Sequence, residues 1–160
     1  YLESGFGNIQ TMSVLEGILL GNSMEDCIPT FDMCEIDLYT GDVELYKMGS
    51  APSFLKYDRT MECIPSENLL LGYEKLGNVK IVKRQMQEEN YLIMMTDGVA
   101  DRIAPHMKDR VFEEMLKDKK LGNPTALAER IMTLALQAGR GRVYDDMTVL
   151  VLALYSNIGR

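Results

Sequence analysis

Two short acidic segments hold most of the chemistry this chain could perform. Asp97-Gly98 follows the apolar run Tyr91-Leu92-Ile93-Met94-Met95, and Asp145-Asp146 precedes a second run, Val149-Leu150-Val151-Leu152-Ala153-Leu154. Carboxylates at the ends of rigid strands, with no His or Cys beside them, make an all-oxygen donor set that suits a hard cation such as Mg²⁺, Mn²⁺ or Ca²⁺. If the two runs are neighbouring strands, Asp97 and Asp145 face one point. Unneutralised carboxylates that close repel, and a divalent cation removes the cost. Each segment also has a plainer reading, because Asp-Gly after a strand serves as a turn and Asp-Asp before one as a solvated end or cap.

The remaining reactive side chains point less clearly. His106, the only histidine, stands in Pro105-His106-Met107 and reads as a solvated loop residue rather than an acid. Asp101, four residues beyond Asp97, suits a neighbouring ion or a cap equally. Arg140 and Arg142 precede the acidic pair and could meet a phosphate, although loop arginines also serve simply as soluble surface. Ser50 and Ser53 have no histidine to act as base, which disfavours a serine nucleophile. Cys27, Cys34 and Cys63 are odd in number and lack C-x-x-C spacing, so neither a disulfide framework nor a thiolate zinc site is indicated. They read as small buried hydrophobes in a reducing compartment.

The elements that must carry these residues follow from periodicity. Met12, Leu15, Ile18 and Leu19 form a helical stripe over 10–20, ended by Gly21, that should pack on a sheet. Residues 31–39 and 43–48 flank Thr40-Gly41-Asp42 as a β-hairpin, and extended segments follow at 53–57, 60–64, 79–85 and 91–95. Val111, Phe112, Met115 and Leu116 mark a short helix. Asn123-Pro124 opens another, with Leu127, Ile131, Leu134 and Ala135 on its buried face. The run 147–154 is apolar at every position but Thr148, which predicts a central strand covered on both faces. Helices packed on antiparallel sheets give an α+β class.

Composition bounds the partners. With 160 residues, 46% of them hydrophobic, the chain can bury a single-domain core without staples. A net charge of −7 argues against a surface that tracks nucleic-acid phosphates or an anionic membrane. No apolar stretch approaches the ~20 residues that span a bilayer. The first residue is Tyr1 rather than Met, as expected for a piece of something longer.

The acidic segments and their surroundings resemble the metal-dependent protein serine/threonine phosphatases of the type 2C (PPM) family, most closely the bacterial sporulation stage II protein E branch. The resemblance covers nearly the whole chain. It rests on Leu2-Glu3-Ser4-Gly5, on Phe31-Asp32-Met33 with Ile36-Asp37-Leu38-Tyr39-Thr40-Gly41, on Lys47-Met48-Gly49-Ser50-Ala51-Pro52-Ser53-Phe54, on Met94-Met95-Thr96-Asp97-Gly98-Val99, and on Asp145-Asp146-Met147-Thr148-Val149. It implies a four-layer α-β-β-α sandwich in which two Mn²⁺ or Mg²⁺ ions between the sheets activate a water for in-line attack on phosphorus. Residues 1–160 would form the C-terminal part of a single phosphatase domain, incomplete at its N-terminus. On this sequence, Asp97 becomes the acidic ligand of the Asp-Gly motif, Asp145 its partner and Asp146 a weaker metal ligand. Gly98 would let the backbone turn where any Cβ would hinder it, and Thr148 would support the strand.

The family's first Asp-Gly, which bridges the two metals, would lie upstream of Tyr1, leaving this fragment inactive alone. Sheet edges exposed with that loss would invite pairing with another chain, as in a homodimer. The implied substrate is a phosphorylated anti-anti-sigma factor, whose dephosphorylation promotes sigma-factor activation in sporulation. A stress-response sigma-factor phosphatase is the alternative within the family, and a catalytically silent partner-binding module is the alternative outside enzymes. Retention of Asp97 and Asp145 counts against the silent module. The resemblance further implies a cytoplasmic domain of a larger membrane-anchored protein, with no nucleic-acid or membrane contact by this chain.

Overall fold

The computed structural model describes residues 4–21, 30–57, 60–66, 79–104 and 123–155. In chain order they form α1 (Asn8–Gly21), β1 (Phe31–Ile36), β2 (Asp42–Met48), β3 (Ser53–Lys56), β4 (Met61–Ile64), β5 (Lys80–Gln85), β6 (Tyr91–Met95), α2 (Asp97–Ile103), α3 (Pro124–Ala138) and β7 (Val149–Ala153). Two antiparallel sheets result, one ordered β1-β2-β5 and the other β4-β3-β6-β7.

The two-residue period of the strands sorts side chains into layers. Along β6 all five residues are buried. Tyr91, Ile93 and Met95 pack with Val99 and Ile103 of α2 and with Leu127, Ile131 and Ala135 of α3. Leu92 and Met94 belong instead to the core between the sheets, with Leu55, Ile64, Val43, Leu45 and Val82. On the far side, Met12 of α1 covers Tyr46 and Met48. The order helix, sheet, sheet, helix is the predicted α-β-β-α sandwich.

Local chemistry sets several boundaries. The Asn123 side chain accepts the Ala126 N–H at 2.7 Å, and Pro124 occupies the first turn of α3, as the spacing predicts. In the β1–β2 turn, one Asp37 carboxylate oxygen accepts the N–H groups of Tyr39 and Thr40 at 2.7 and 3.0 Å. Gly41 closes that turn at φ 74° and lies so close to the Met86 carbonyl that a Cβ would overlap it.

Three expectations need correction. β7 pairs only with β6 among the described residues, so it is an edge strand of its sheet rather than a central one, and Leu150 is 54% exposed. A continuous apolar run records that layers lie on either side of a strand; it does not record which strand lies beside it. The α1 stripe is buried at Met12 but opens to solvent at Ile18. Cys63 is exposed, whereas Cys34 is partly buried, and burial pushes its thiol up to about 12, so that it behaves as a small hydrophobe. The predicted turn at 58–59, the stripe at 111–116, Cys27 and His106 fall outside the described residues.

One polar cluster lies within the inter-sheet core. Lys47 shares the inward face of β2 with Val43 and Leu45 and sits directly opposite Asp32 of β1. Its side chain has no solvent exposure, and its Nζ donates to Asp32 Oδ2 at 2.7 Å, Ser53 Oγ at 2.7 Å and the Ala51 carbonyl at 2.9 Å. Ser53 Oγ in turn donates to Asp32 Oδ2 at 3.1 Å. Burial pushes the Asp32 carboxyl up and the Lys47 amine down, and their pairing pulls each part of the way back. Ser53 is therefore committed to a cross-sheet tie and not to nucleophilic chemistry. Lys47→Met should destabilise the fold by about 3–5 kcal/mol, because it strands a buried carboxylate, and adding Asp32→Leu should recover most of that loss. Urea unfolding of the two variants checks both values.

Candidate metal centre

The first fact of the site is adjacency. β6 and β7 pair antiparallel with Met95 opposite Val149, so the residues after one strand and before the other emerge together. Thr96 then ties the two ends. Its N–H donates to the Thr148 carbonyl at 3.1 Å, and its Oγ1 donates to the Asp146 carbonyl at 2.9 Å. The same Oγ1 accepts the Thr148 N–H at 2.9 Å. Thr96 is also the N-cap of α2, yet its hydroxyl makes no capping bond because it is spent on the neighbouring segment.

Asp97 is the first residue of α2, where the helix dipole favours a carboxylate. Its Oδ1 accepts the Gly98 N–H at 2.9 Å, and Asp145 Oδ1 accepts the Asp146 N–H at 2.8 Å. Each acid thus uses one oxygen to hold its own backbone. Gly98 sits where those backbones meet. A Cβ there would stand 2.5 Å from the Asp146 carbonyl oxygen and 3.3 Å from the Asp145 carbonyl carbon. The glycine is needed for close approach, and its backbone angle is ordinary.

An open cavity of about 330 Å³ lies at this junction, lined by Gly98, Asp101, Arg102, Tyr144 and Asp145. Of the sequence-predicted residues, it gathers Asp145, Gly98 and Asp101, while Asp97 and Asp146 stand beside it, exposed, without forming its wall. Among the described residues, no three His, Cys, Asp or Glu side chains group closely enough to hold a metal ion. The donors present are all oxygen, the type a hard cation takes, and the contact at Gly98 brings the two acid-bearing backbones together.

Sequence reasoning missed four residues, Thr96, Arg102 and Tyr144 at this site and Lys47 in the inter-sheet core. Thr96 is the tie just described. Arg102 lies over the Tyr144 ring, its guanidinium carbon 4.5 Å from the centroid, and the two together form one wall of the cavity. Nothing in one-dimensional spacing pairs residues 102 and 144. Lys47 did leave a signal, since it falls on the same parity as Val43 and Leu45 along β2.

Known proteins share this fold. The sequence model of the family described as Stage II sporulation protein E (SpoIIE) matches residues 3–155. Stage II sporulation protein E of Priestia megaterium is 32% identical over 161 residues, which cover 98% of this chain and 27% of that protein. The protein of the same name from Bacillus subtilis (strain 168) is 28% identical over 159 residues, covering 98% of this chain and 19% of that one. The chain therefore spans about a quarter or less of the curated relatives it matches. Among solved structures, the phosphatase domain of the cell fate determinant SpoIIE from Bacillus subtilis, from manganese-presoaked material, superposes with a TM-score of 0.71 at 27% identity. That match covers 99% of this chain and 72% of the solved one.

The four layers are thus those of the type 2C, or PPM, protein phosphatases. Within that class the chain belongs to the Stage II sporulation protein E family.

Gly98→Ala should cost about 1–3 kcal/mol, because the added methyl drives the start of α2 away from the 145–146 backbone. Urea unfolding measures that loss, and a cost below a few tenths of a kcal/mol would mean that the two segments separate freely.

Proposed function

We propose that residues 1–160 supply the C-terminal part of a metal-dependent protein serine/threonine phosphatase domain that acts in sporulation. The observation that carries this reading is the van der Waals closeness of the Asp97-Gly98 and Asp145-Asp146 backbones across the β6–β7 end. Family membership and the solved phosphatase domain support it. Asp97 and Asp145 are assigned as the carboxylates that hold Mn²⁺ or Mg²⁺, with Asp146 contributing more weakly and Gly98 permitting the approach. When bound, the two ions lower the pKa of water and neutralise charge on the phosphoryl group.

The chain's own residues prepare that site. Thr96 fixes the separation of the two strand ends with three hydrogen bonds. The Asp97 and Asp145 side chains are each steadied by a backbone N–H, which limits their rotation before any ion is bound. Asp97 and Asp145, even with the weaker Asp146, are few donors for two dications, so a further bridging carboxylate is part of this reading and residues 1–160 by themselves are assigned little turnover. The substrate in this reading is a phosphorylated anti-anti-sigma protein, and the phosphatase is the cytoplasmic portion of a larger membrane-anchored protein. Among the described residues, no helix is long and apolar enough to cross a membrane.

In the full-length protein, hydrolysis of a phosphoserine peptide should require Mn²⁺ or Mg²⁺, and Asp97→Asn or Asp145→Asn should each lower it by at least about 100-fold. Steady-state phosphate release with and without chelator measures this. Full activity in excess chelator sinks the metal mechanism, and wild-type rates in either variant sink that residue's assignment.

A further inference from the structure

Beyond the acidic cavity lies a second, of about 400 Å³, lined by Arg102, Ala138, Gly139, Arg140, Arg142 and Tyr144. The two share Arg102 and Tyr144, so the stacked pair is a partition with carboxylates on one side and arginines on the other. No carboxylate lines the second cavity, although the chain as a whole carries a net charge of −7. None of its three arginines forms an ion pair among the described residues.

The local backbone places these side chains with some care. α3 is capped by Gly139, after which the Arg140 N–H donates to the Gln137 carbonyl at 3.0 Å and the Gly141 N–H to the Leu136 carbonyl at 2.8 Å. That is a Schellman closure, and its left-handed position usually falls to glycine. Here it is Arg140, at φ 52°, with glycines on both sides. A side chain at such a position is disfavoured by its Cβ, and the favourable charge at a helix C-terminus offsets only part of that cost. Arg142 Nη1 reaches the Tyr144 hydroxyl at 3.4 Å, which steadies the ring that Arg102 covers. Arg102 holds its guanidinium carbon 4.5 Å from the centroid of that ring, a contact that leaves it unpaired with any acid among the described residues.

We propose that the arginine-walled cavity binds a carboxylate-rich peptide segment flanking the phosphoserine of the substrate. The inference rests on the phosphatase reading, and it adds a class of substrate: a phosphoprotein whose modified serine adjoins Asp or Glu. Guanidinium groups match carboxylates in fork geometry. The phosphoryl group belongs on the other side of Tyr144, beside Asp145, and the arginine cavity is as large as that one, with room for side chains in addition.

The test uses the full-length protein and two fluorescein-labelled phosphoserine peptides, one with Glu at the flanking positions and one with Gln. Anisotropy in excess chelator reads binding without turnover. The Glu peptide should bind at least about ten-fold more tightly, an advantage that shrinks as salt rises. Arg140→Gln/Arg142→Gln should abolish the difference, while the double Lys variant should retain part of it. Equal binding of the two peptides by the wild type overturns the proposal, as does discrimination surviving in a Gln variant whose melting curve shows it folded. Displacement of the Glu peptide by inorganic phosphate, at concentrations that leave the Gln peptide bound, reassigns the cavity to the phosphoryl group and also overturns it. Discrimination without Mn²⁺-dependent hydrolysis would leave this site standing and remove the phosphatase reading instead.

Discussion

The antiparallel pairing of β6 with β7 is the constraint on which the site depends. It sets Met95 opposite Val149, and the residues just beyond that pair must then share one small volume. Thr96 converts proximity into fixed geometry through its bonds to Asp146 and Thr148. Gly98 allows the closest approach, because its missing side chain is the space the 145–146 backbone occupies. The acids are held by backbone that cannot easily part, which is how a site built on strand ends attains the precision that loops lack.

The same end of the sandwich carries the buried tie between the sheets. β3 runs antiparallel to β6 with Phe54 opposite Ile93, so the start of β3 lies beside the end of β6. Ser53 opens β3, and Lys47 and Asp32 are fixed to it by hydrogen bonds. A buried ion pair of this kind contributes little net stability compared with apolar packing, since burial opposes both charges. Its effect is directional: it makes one alignment of the two sheets cheaper than its neighbours, because only that alignment satisfies Lys47. Polar groups placed this way specify a structure more than they stabilise it.

Charge is segregated over a short distance at the mouth of the site. Asp101 and Asp145 line one cavity and Arg140 and Arg142 the next, with Arg102 and Tyr144 lining both. Opposite charges left so near each other would ordinarily form ion pairs. Here the guanidinium of Arg102 lies over an aromatic face instead, and none of the three arginines is paired with an acid among the described residues. The partition keeps an anion-seeking surface and a cation-seeking surface distinct while they remain adjacent.

Much of this was legible in one dimension. Period-two alternation marks β2 and β5, the Asn123-Pro124 start marks α3, and the short apolar runs beside acidic residues mark β6 and β7. Those features are local: a side chain's preference for a cap, a turn or one face of a strand is decided by its immediate neighbours. The run 147–154 does not reveal its place, because apolarity reports burial and not lateral position in a sheet, and among the described residues β7 is an edge strand rather than a central one. Thr96, the Arg102–Tyr144 stack and the Asp32–Lys47–Ser53 tie were beyond such reasoning for a related cause. Their partners are separated by dozens of residues in the Thr96 and Arg102 pairs and by a change of sheet at Ser53, and only strand register brings them within reach. The sequence by itself determined the kinds of element and the acids they would carry; the tertiary structure alone decided which acids, hydroxyls and arginines would meet, because strand pairing and close packing act between residues that the chain keeps far apart.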